Sequence, residues 1–152
     1  MKIFDYSKWI LTFVLLPLVS SAQAEQFETF GDYQIHYIAF SSELLAPEIV
    51  QQYGLERARN RAVLNISILK TNPSGLAKPV TAQVRGSFTN LAQQKQTLDF
   101  RQIVEGDAVY YLASLRFTNR EILKFDIQFQ PNGTKHIHKL TFNQQLYFEP
   151  KK

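Results

Sequence analysis

The sequence of 152 residues contains no cysteine. Disulfide bonds, cysteine nucleophiles, thiol redox chemistry and cysteine-rich zinc sites are therefore excluded. Lipid attachment by the bacterial lipoprotein route is excluded too, because it needs a cysteine at the cleavage site. The stability of the fold must come from an apolar core, and a hydrophobic fraction of 45% is enough to build one.

The sequence also lacks the motifs that mark common catalytic sites. It has no G-x-S-x-G elbow, no H-E-x-x-H pair, no phosphate-binding loop and no dinucleotide-binding fingerprint. A catalytic triad would have to be assembled from scattered positions, so a non-catalytic protein is favoured over an enzyme, and no cofactor is predicted. The net charge of +4 is mild and no basic-aromatic platform is present, which argues against nucleic acid as a partner.

The N-terminus is typical of a secretory signal peptide. Two lysines precede an apolar run at residues 9–19, and small residues follow up to Ala24. This arrangement predicts a signal peptide over residues 1–24 that is cleaved after Ala24. An uncleaved anchor is disfavoured, because a bilayer span needs roughly 20 apolar residues. We therefore expect a periplasmic protein with one domain over residues 25–152 and no transmembrane segment after cleavage.

Alternating hydrophobicity dominates the rest of the chain. Residues 80–88 are the clearest case, and a Phe-rich pair of alternating segments surrounds the turn at residues 131–133. Seven or eight such segments at short spacing predict an all-β fold, an antiparallel β-sandwich of immunoglobulin-like architecture. A small β-barrel is the alternative.

One short helix is predicted between Pro47 and Gly54. Proline fits the first helical position and glycine fits the position just past the end. About two turns are too short to be stable alone, so we expect this helix to dock on the sandwich or to cap one of its ends. Ile38 and Phe40 interrupt the alternation of the preceding strand, which indicates that both faces of that strand are covered near its end.

His136 and His138 are the candidate metal ligands. Two histidines at i and i+2 on a strand share a face and could bind one metal ion, with His36 as a third ligand. A two-residue loop at 132–133 would set Phe129 opposite His136 and place both histidines on the inward row, near one end of the sandwich. The alternative role of the pair is packing against Phe129.

Four arginines and a tyrosine are the candidate binding residues. Arg57, Arg59 and Arg61 alternate along a connector, and an extended connector would present all three guanidinium groups on one side, where they suit carboxylate or phosphate partners. Arg120 could join them if the loops meet. Tyr110 has the outward parity of its strand, and exposed tyrosines are common at recognition surfaces. The alternatives are a solvated loop and cross-strand packing.

The whole pattern resembles a known family. The features that carry the resemblance are the sequence EQFETFGDY at 25–33, His36-Tyr37, Pro47, YGLER at 53–57, Asn65-Ile66 and the Phe-rich end of the chain. They resemble a family of small exported proteins of Gram-negative bacteria, domain of unknown function 4426. The resemblance covers essentially all of the mature chain and implies a single periplasmic domain, but it implies no activity, cofactor or catalytic residue.

These features favour a non-catalytic periplasmic binding or protein-interaction module. Its partner would be another envelope protein, a peptide or an anionic envelope component, bound through loops at one end or by a strand added at an edge. A lined apolar pocket would favour a small hydrophobic ligand, and an open edge would favour a protein partner. The alternatives are a metal-binding protein or metal-dependent hydrolase that uses the histidine pair, and a structural envelope factor without a ligand.

Overall fold

A computed structural model of the chain describes residues 26–148. The predicted signal peptide lies outside these described residues. Within them the chain forms ten strands, one short helix and one 3₁₀ turn. The elements are β1 (Gln26–Phe30), β2 (Tyr33–Ser41), the 3₁₀ turn (Ser42–Leu44), α1 (Pro47–Gln52), β3 (Arg61–Thr71), β4 (Ala77–Pro79), β5 (Ala82–Thr89), β6 (Lys95–Leu98), β7 (Arg101–Glu105), β8 (Ala108–Arg116), β9 (Glu121–Pro131) and β10 (His138–Leu146).

Two antiparallel sheets form the predicted sandwich. The larger sheet has the order β1-β2-β3-β8-β7, with β4 also paired to β3, and the smaller sheet has the order β10-β9-β5-β6. The strands outnumber the predicted seven or eight for two reasons. The short β4 has too few residues to show alternation. The apolar residues near Leu98 and Ile103 look like a single segment in the sequence, but they are divided between β6 in one sheet and β7 in the other. No helix within residues 26–148 has the length and apolarity needed to cross a membrane.

The core lies between the inward rows of the two sheets. The rings of Phe125 and Phe142 stack with centroids 4.8 Å apart, and Tyr37 from the opposite sheet packs 4.4 Å from Phe142. Full burial of one such side chain stabilises the fold by roughly 1.5–3 kcal/mol. A polar contact also crosses the core, because the Ala82 N–H donates to the Tyr111 hydroxyl at 2.6 Å.

The register of the closing hairpin differs from the prediction. His138, rather than His136, pairs with Phe129, so the register is shifted by two residues. The Asn132 N–H donates to the Thr81 carbonyl of the neighbouring segment at 2.9 Å, and the Thr134 N–H donates to Pro131 O at 3.1 Å. These bonds enlarge the predicted two-residue loop to residues 132–137. A shift of two leaves the side chains of β10 on their predicted face, because strand side chains alternate with period two. The predicted inward position of His136 is wrong, since this residue falls in the enlarged loop and is exposed.

Candidate functional site

The outer face of the larger sheet is apolar where its central strands meet. This face points away from the smaller sheet. On it Phe40 pairs with Val63, and Asn65 pairs with Leu112 one strand along. Ile103 pairs with Tyr110 at the end of the same sheet. An exposed sheet face normally carries polar side chains, so this apolar row needs a cover.

Helix α1 supplies that cover, and a cavity remains beneath it. The cavity has a volume of about 260 Å³. We call it the α1 cavity. Its lining is mostly apolar and comprises Phe40, Leu45, Ile49, Tyr53, Leu55, Val63, Asn65, Ile103, Glu105, Tyr110 and Leu112. The predicted helix and its docking on the sandwich are thus confirmed, and Phe40 is covered as the interrupted alternation indicated.

A few polar contacts hold α1 in place. None of its residues is buried. The Arg101 guanidinium donates to the carbonyls of Tyr53 and Gly54, at 3.1 and 3.4 Å, where the helix ends. Gly54 has a φ of +59°, and a Cβ there would lie 3.1 Å from that guanidinium, so glycine suits both the backbone and the contact. The 3₁₀ turn before the helix is also joined to the connector after it, because the Ser42 hydroxyl donates to Ala58 O at 3.1 Å and accepts from Ala58 N at 3.0 Å.

Asn65 is the unusual residue of the lining. Its Oδ1 is buried and accepts no hydrogen bond, and its carboxamide makes none with the rest of residues 26–148. A buried polar group without a partner destabilises a fold by roughly 1–3 kcal/mol. Two residues along the same face, the Ser67 hydroxyl does have a partner, since it donates to Val109 O at 3.1 Å. Asn65 thus lines the α1 cavity, while its Oδ1 is shielded from solvent and left without a partner by the described chain.

Glu105 and Tyr110 bring polar groups to the edge of the cavity. Glu105 is exposed, and Tyr110 is half-buried. The outward orientation predicted for Tyr110 is confirmed by its place in the lining. Strand β7, which carries Ile103 and Glu105, ends the larger sheet and has β8 as its ladder partner. The cavity thus lies beside a sheet edge.

The three connector arginines make three different contacts. Arg57 donates to the carbonyls of Glu43 and Leu45 at 2.9 and 3.2 Å, beside the 3₁₀ turn. Arg59 lies over the Phe148 ring at 5.1 Å. Arg61 forms an ion pair with Glu56 at 2.6 Å.

The connector itself is not extended. The Arg61 N–H donates to Ala58 O at 3.0 Å, which closes a turn at the start of β3. The predicted extended connector, which would have presented all three guanidinium groups on one side, is therefore wrong. Arg120 lies in another turn with a φ of +61°, where its carbonyl accepts from the Gln145 side chain at 3.1 Å. The structure places none of these four arginines in the lining of the α1 cavity.

The histidine pair lies at one end of the sandwich. His138 stacks on Phe129 with ring centroids 4.9 Å apart and also contacts Phe30 at 5.5 Å. The exposed His136 meets it edge-on at 4.6 Å. Burial, together with the neighbouring His136, lowers the pKa of His138 below its usual 6.5. His36 does not join them, since it lies on the outer face of β2 and stacks on Phe27.

Metal ligands are few at this end of the molecule. The pair borders an open cavity of about 470 Å³ that Asp32 also lines. Within residues 26–148, however, no group of three or more His, Asp or Glu side chains is arranged to hold a metal ion. Protein zinc sites use three or four protein ligands. The described residues therefore do not fit a metal centre of that kind.

The α1 cavity is the site that the sequence did not reveal directly. Its lining comes from β2, β3, β7, β8 and α1, which are far apart in sequence. One available signal was the apolar residue on an outward position, as at Phe40 and Leu112. Asn65 carries no such signal, because an asparagine in a strand is recognised as unpaired only when its neighbours are known.

Together the fold and the cavity define a small antiparallel β-sandwich with an apolar cavity on its outer face. The chain belongs to the family described as Domain of unknown function (DUF4426), which matches residues 27–149. The resemblance inferred from the sequence is confirmed. No curated protein matches the chain.

Solved structures support the fold. A crystal structure of a DUF4426 family protein from Pseudomonas aeruginosa PAO1 is 32% identical, with a TM-score of 0.74 over 85% of this chain and 99% of that one. FetP from uropathogenic Escherichia coli strain F11 is 14% identical. Its as-isolated structure, from protein recombinantly expressed in the periplasm, has a TM-score of 0.60 over 84% of this chain and 96% of that one. A copper-bound FetP variant has a TM-score of 0.59 over 84% and 93%. At 14% identity the likeness to FetP concerns the fold alone.

Proposed function

We propose that this protein is an exported, non-catalytic binding module whose binding site is the α1 cavity. The observation that carries the proposal is the cavity itself, an apolar space between α1 and the outer face of the larger sheet. Small-ligand sites are typically concave, mostly apolar and equipped with a few polar groups that orient the ligand. Asn65 and Glu105 are such groups here.

The size of the cavity limits what it can hold. Pockets for drug-sized ligands measure roughly 300–1,000 Å³. At about 260 Å³ the α1 cavity lies just below that range. It suits one apolar group, such as an aromatic ring or a short aliphatic chain, whether this belongs to a small molecule or projects from a larger partner.

Binding of a small aromatic probe tests the proposal. Indole has an apolar aromatic ring, which matches the mostly apolar lining of the cavity. We expect an indole titration to shift the amide NMR signals of α1, β3, β7 and β8, and the Leu112→Trp variant, which fills the cavity, to abolish these shifts. Gln128→Trp is the matched control, since it adds the same ring to the outer face of the other sheet. Indole shifts that are absent, or that persist in Leu112→Trp, would refute the cavity as a binding site.

Export is part of the proposal and rests on residues 1–24. Their charged start, apolar run and small residues up to Ala24 are those of a cleavable signal peptide. FetP, which shares the fold, was expressed in the periplasm. Expression of the full chain in a Gram-negative host should yield periplasmic protein whose N-terminal residue is Glu25 by mass spectrometry. Intact chains in the cytoplasm would contradict this part of the proposal.

Metal binding by His136 and His138 is the second candidate function. Two observations favour it, namely the 4.6 Å separation of the two rings beside an open cavity and the copper bound by a FetP variant of the same fold. Against it stands the two-ligand donor set among residues 26–148. Elemental analysis of untagged protein tests whether the histidine pair binds a metal ion. One equivalent of copper or zinc that is lost in His136→Ala would support it, whereas metal-free protein with no thermal shift on metal addition would remove it.

A further inference from the structure

We propose that the partner is an extended peptide segment that adds antiparallel to the free edge of β7 and inserts one aromatic side chain into the α1 cavity. This inference rests on the proposed function and adds the chemical class of the partner. Strand addition is a common mode of peptide recognition, in which main-chain bonds supply affinity and pockets for alternate side chains supply specificity.

The backbone of β7 offers unpaired groups. Glu105 pairs with Ala108 across a two-residue loop that begins with Gly106 at a φ of +56°, as in a type II′ hairpin. In such a hairpin the two residues that flank the loop, here Glu105 and Ala108, are hydrogen-bonded to each other. Along an antiparallel ladder hydrogen-bonded and non-hydrogen-bonded pairs then alternate, so the pairs of Val104 and Gln102 with β8 are not hydrogen-bonded. Gln102 and Val104 therefore direct their N–H and C=O groups towards the free edge. Neither backbone makes a hydrogen bond beyond the β8 ladder within residues 26–148.

The side chains of β7 determine which peptide fits. Ile103 and Glu105 both line the α1 cavity, so the peptide residues opposite them project over it. The residue opposite Ile103 meets apolar surface, which favours an aromatic side chain. The residue two positions earlier in an antiparallel peptide lies opposite the Glu105 carboxylate, which favours lysine or arginine.

Val104 adds a third element to the pattern. It lies on the other face of β7 and is 59% exposed, so it offers apolar surface at the edge of the sheet. A β-branched residue of the peptide opposite Val104 would cover it. Antiparallel addition therefore predicts the order basic, β-branched, aromatic, polar, with the polar residue opposite Gln102. This order is specific to β7, because it follows from the sequence of that edge strand.

The experiment uses synthetic peptides and the mature protein. The probe is a fluorescein-labelled nine-residue peptide with Lys-Val-Phe-Thr at its centre and alternating Thr and Val on either side. Fluorescence anisotropy should show saturable binding to the wild type. Replacing the phenylalanine by alanine should weaken binding at least tenfold, since it removes the group that fills the cavity. N-methylation of the central valine and threonine, which blocks the two bonds to β7, should also weaken it by at least about tenfold.

A charge swap tests the register. In Glu105→Lys the lysine probe should bind about two- to fivefold more weakly, and a probe with glutamate in place of that lysine should recover the loss. The control is Glu28→Lys on β1, an edge strand away from the cavity, where both probes should keep their wild-type affinities. Probe binding that is insensitive to N-methylation, or charge preferences that do not reverse, would overturn strand addition at β7.

Failure of this inference can be told apart from failure of the proposed function. If indole binds and Leu112→Trp blocks it while no peptide binds, the cavity serves a small molecule and the peptide inference is wrong. Octanoate binding that is also blocked by Leu112→Trp would identify such a ligand as a small amphiphile. If neither indole nor any peptide binds, both proposals are wrong.

Discussion

Replacing Asn65 by leucine should make the protein more stable and a poorer binder. Asn65 lies at the centre of an apolar face, and its buried Oδ1 has no hydrogen-bond partner among residues 26–148. A residue retained for folding would not be expected to carry this cost. If the carboxamide serves the ligand, Asn65→Leu exchanges binding for stability, as is common at functional sites.

The expected magnitude follows from the environment of the side chain. An unpaired buried polar group costs roughly 1–3 kcal/mol. Asn65 is half-buried as a whole residue. We therefore take the lower end of that range and expect the free energy of unfolding to rise by about 1 kcal/mol. For a domain of this size that corresponds to a rise in Tm of about 3–5 °C.

The assay is urea unfolding of wild type and variant, followed by the indole titration on both. Ser67→Ala is the matched control, because Ser67 lies on the same face of β3 and its hydroxyl is paired with Val109 O. This control should lose about 1 kcal/mol of stability and bind indole as the wild type does. Asn65→Leu should bind indole more weakly, because it removes the carboxamide from the lining of the cavity.

A loss of stability in Asn65→Leu would contradict this prediction. If Asn65→Leu lowers the free energy of unfolding by 1 kcal/mol or more, the carboxamide stabilises the fold and its place in the cavity has a structural explanation. Unchanged indole affinity in a stabilised variant would show that the cavity does not use the carboxamide for recognition.

Three further predictions concern the fold around the site. Burial and the neighbouring His136 lower the pKa of His138 in the folded state, so the unfolded state binds more protons below pH 6.5. The stability of the protein should therefore fall as the pH drops through and below that value. His138→Phe should reduce the difference in Tm between pH 7.5 and pH 5, and an unchanged difference would show that His138 is not the cause. Arg101→Met removes the hydrogen bonds that hold the end of α1, so the α1 amides should exchange hydrogen faster while the core amides stay protected. If the α1 amides exchange at the same rate in the variant as in the wild type, other contacts hold the helix. Tyr111→Phe leaves the Ala82 N–H buried without its acceptor and should cost about 1–3 kcal/mol in urea unfolding; a cost below 0.5 kcal/mol would mean that water replaces the hydroxyl.

The fold class could be predicted because strand alternation reports directly on a buried face. Period-two patterns located the inward rows of β8, β9 and β10 without knowledge of their partners. The hairpin register could not be predicted in the same way. The length of its loop depends on the bonds from Asn132 to Thr81, and Thr81 lies in a segment about fifty residues earlier. The parity of the strand survived this error because the shift was two residues.

The α1 cavity depends on strand order, which alternation does not encode. The sequence indicated that α1 needed a docking surface and that Phe40 was covered, but it did not show that Leu112 and Ile103 would lie on the same face. Nor did it show that the connector turns at Ala58, so that its arginines acquire partners of their own. Whether a polar side chain finds a hydrogen-bond partner depends on residues that are distant in sequence. The unpaired side chain of Asn65 could therefore not be predicted.

Residue-resolved amide hydrogen exchange with and without the Lys-Val-Phe-Thr probe is the decisive test of peptide binding at β7 and the α1 cavity. We predict that the probe slows exchange at the Gln102 and Val104 amides and at the amides of α1, because strand addition at β7 pairs the first two and filling the cavity secures the helix. Exchange on the other edge strands, β1, β6 and β10, should not change. Protection confined to one of those edges, or no protection at Gln102 and Val104 at saturating probe, would contradict the account.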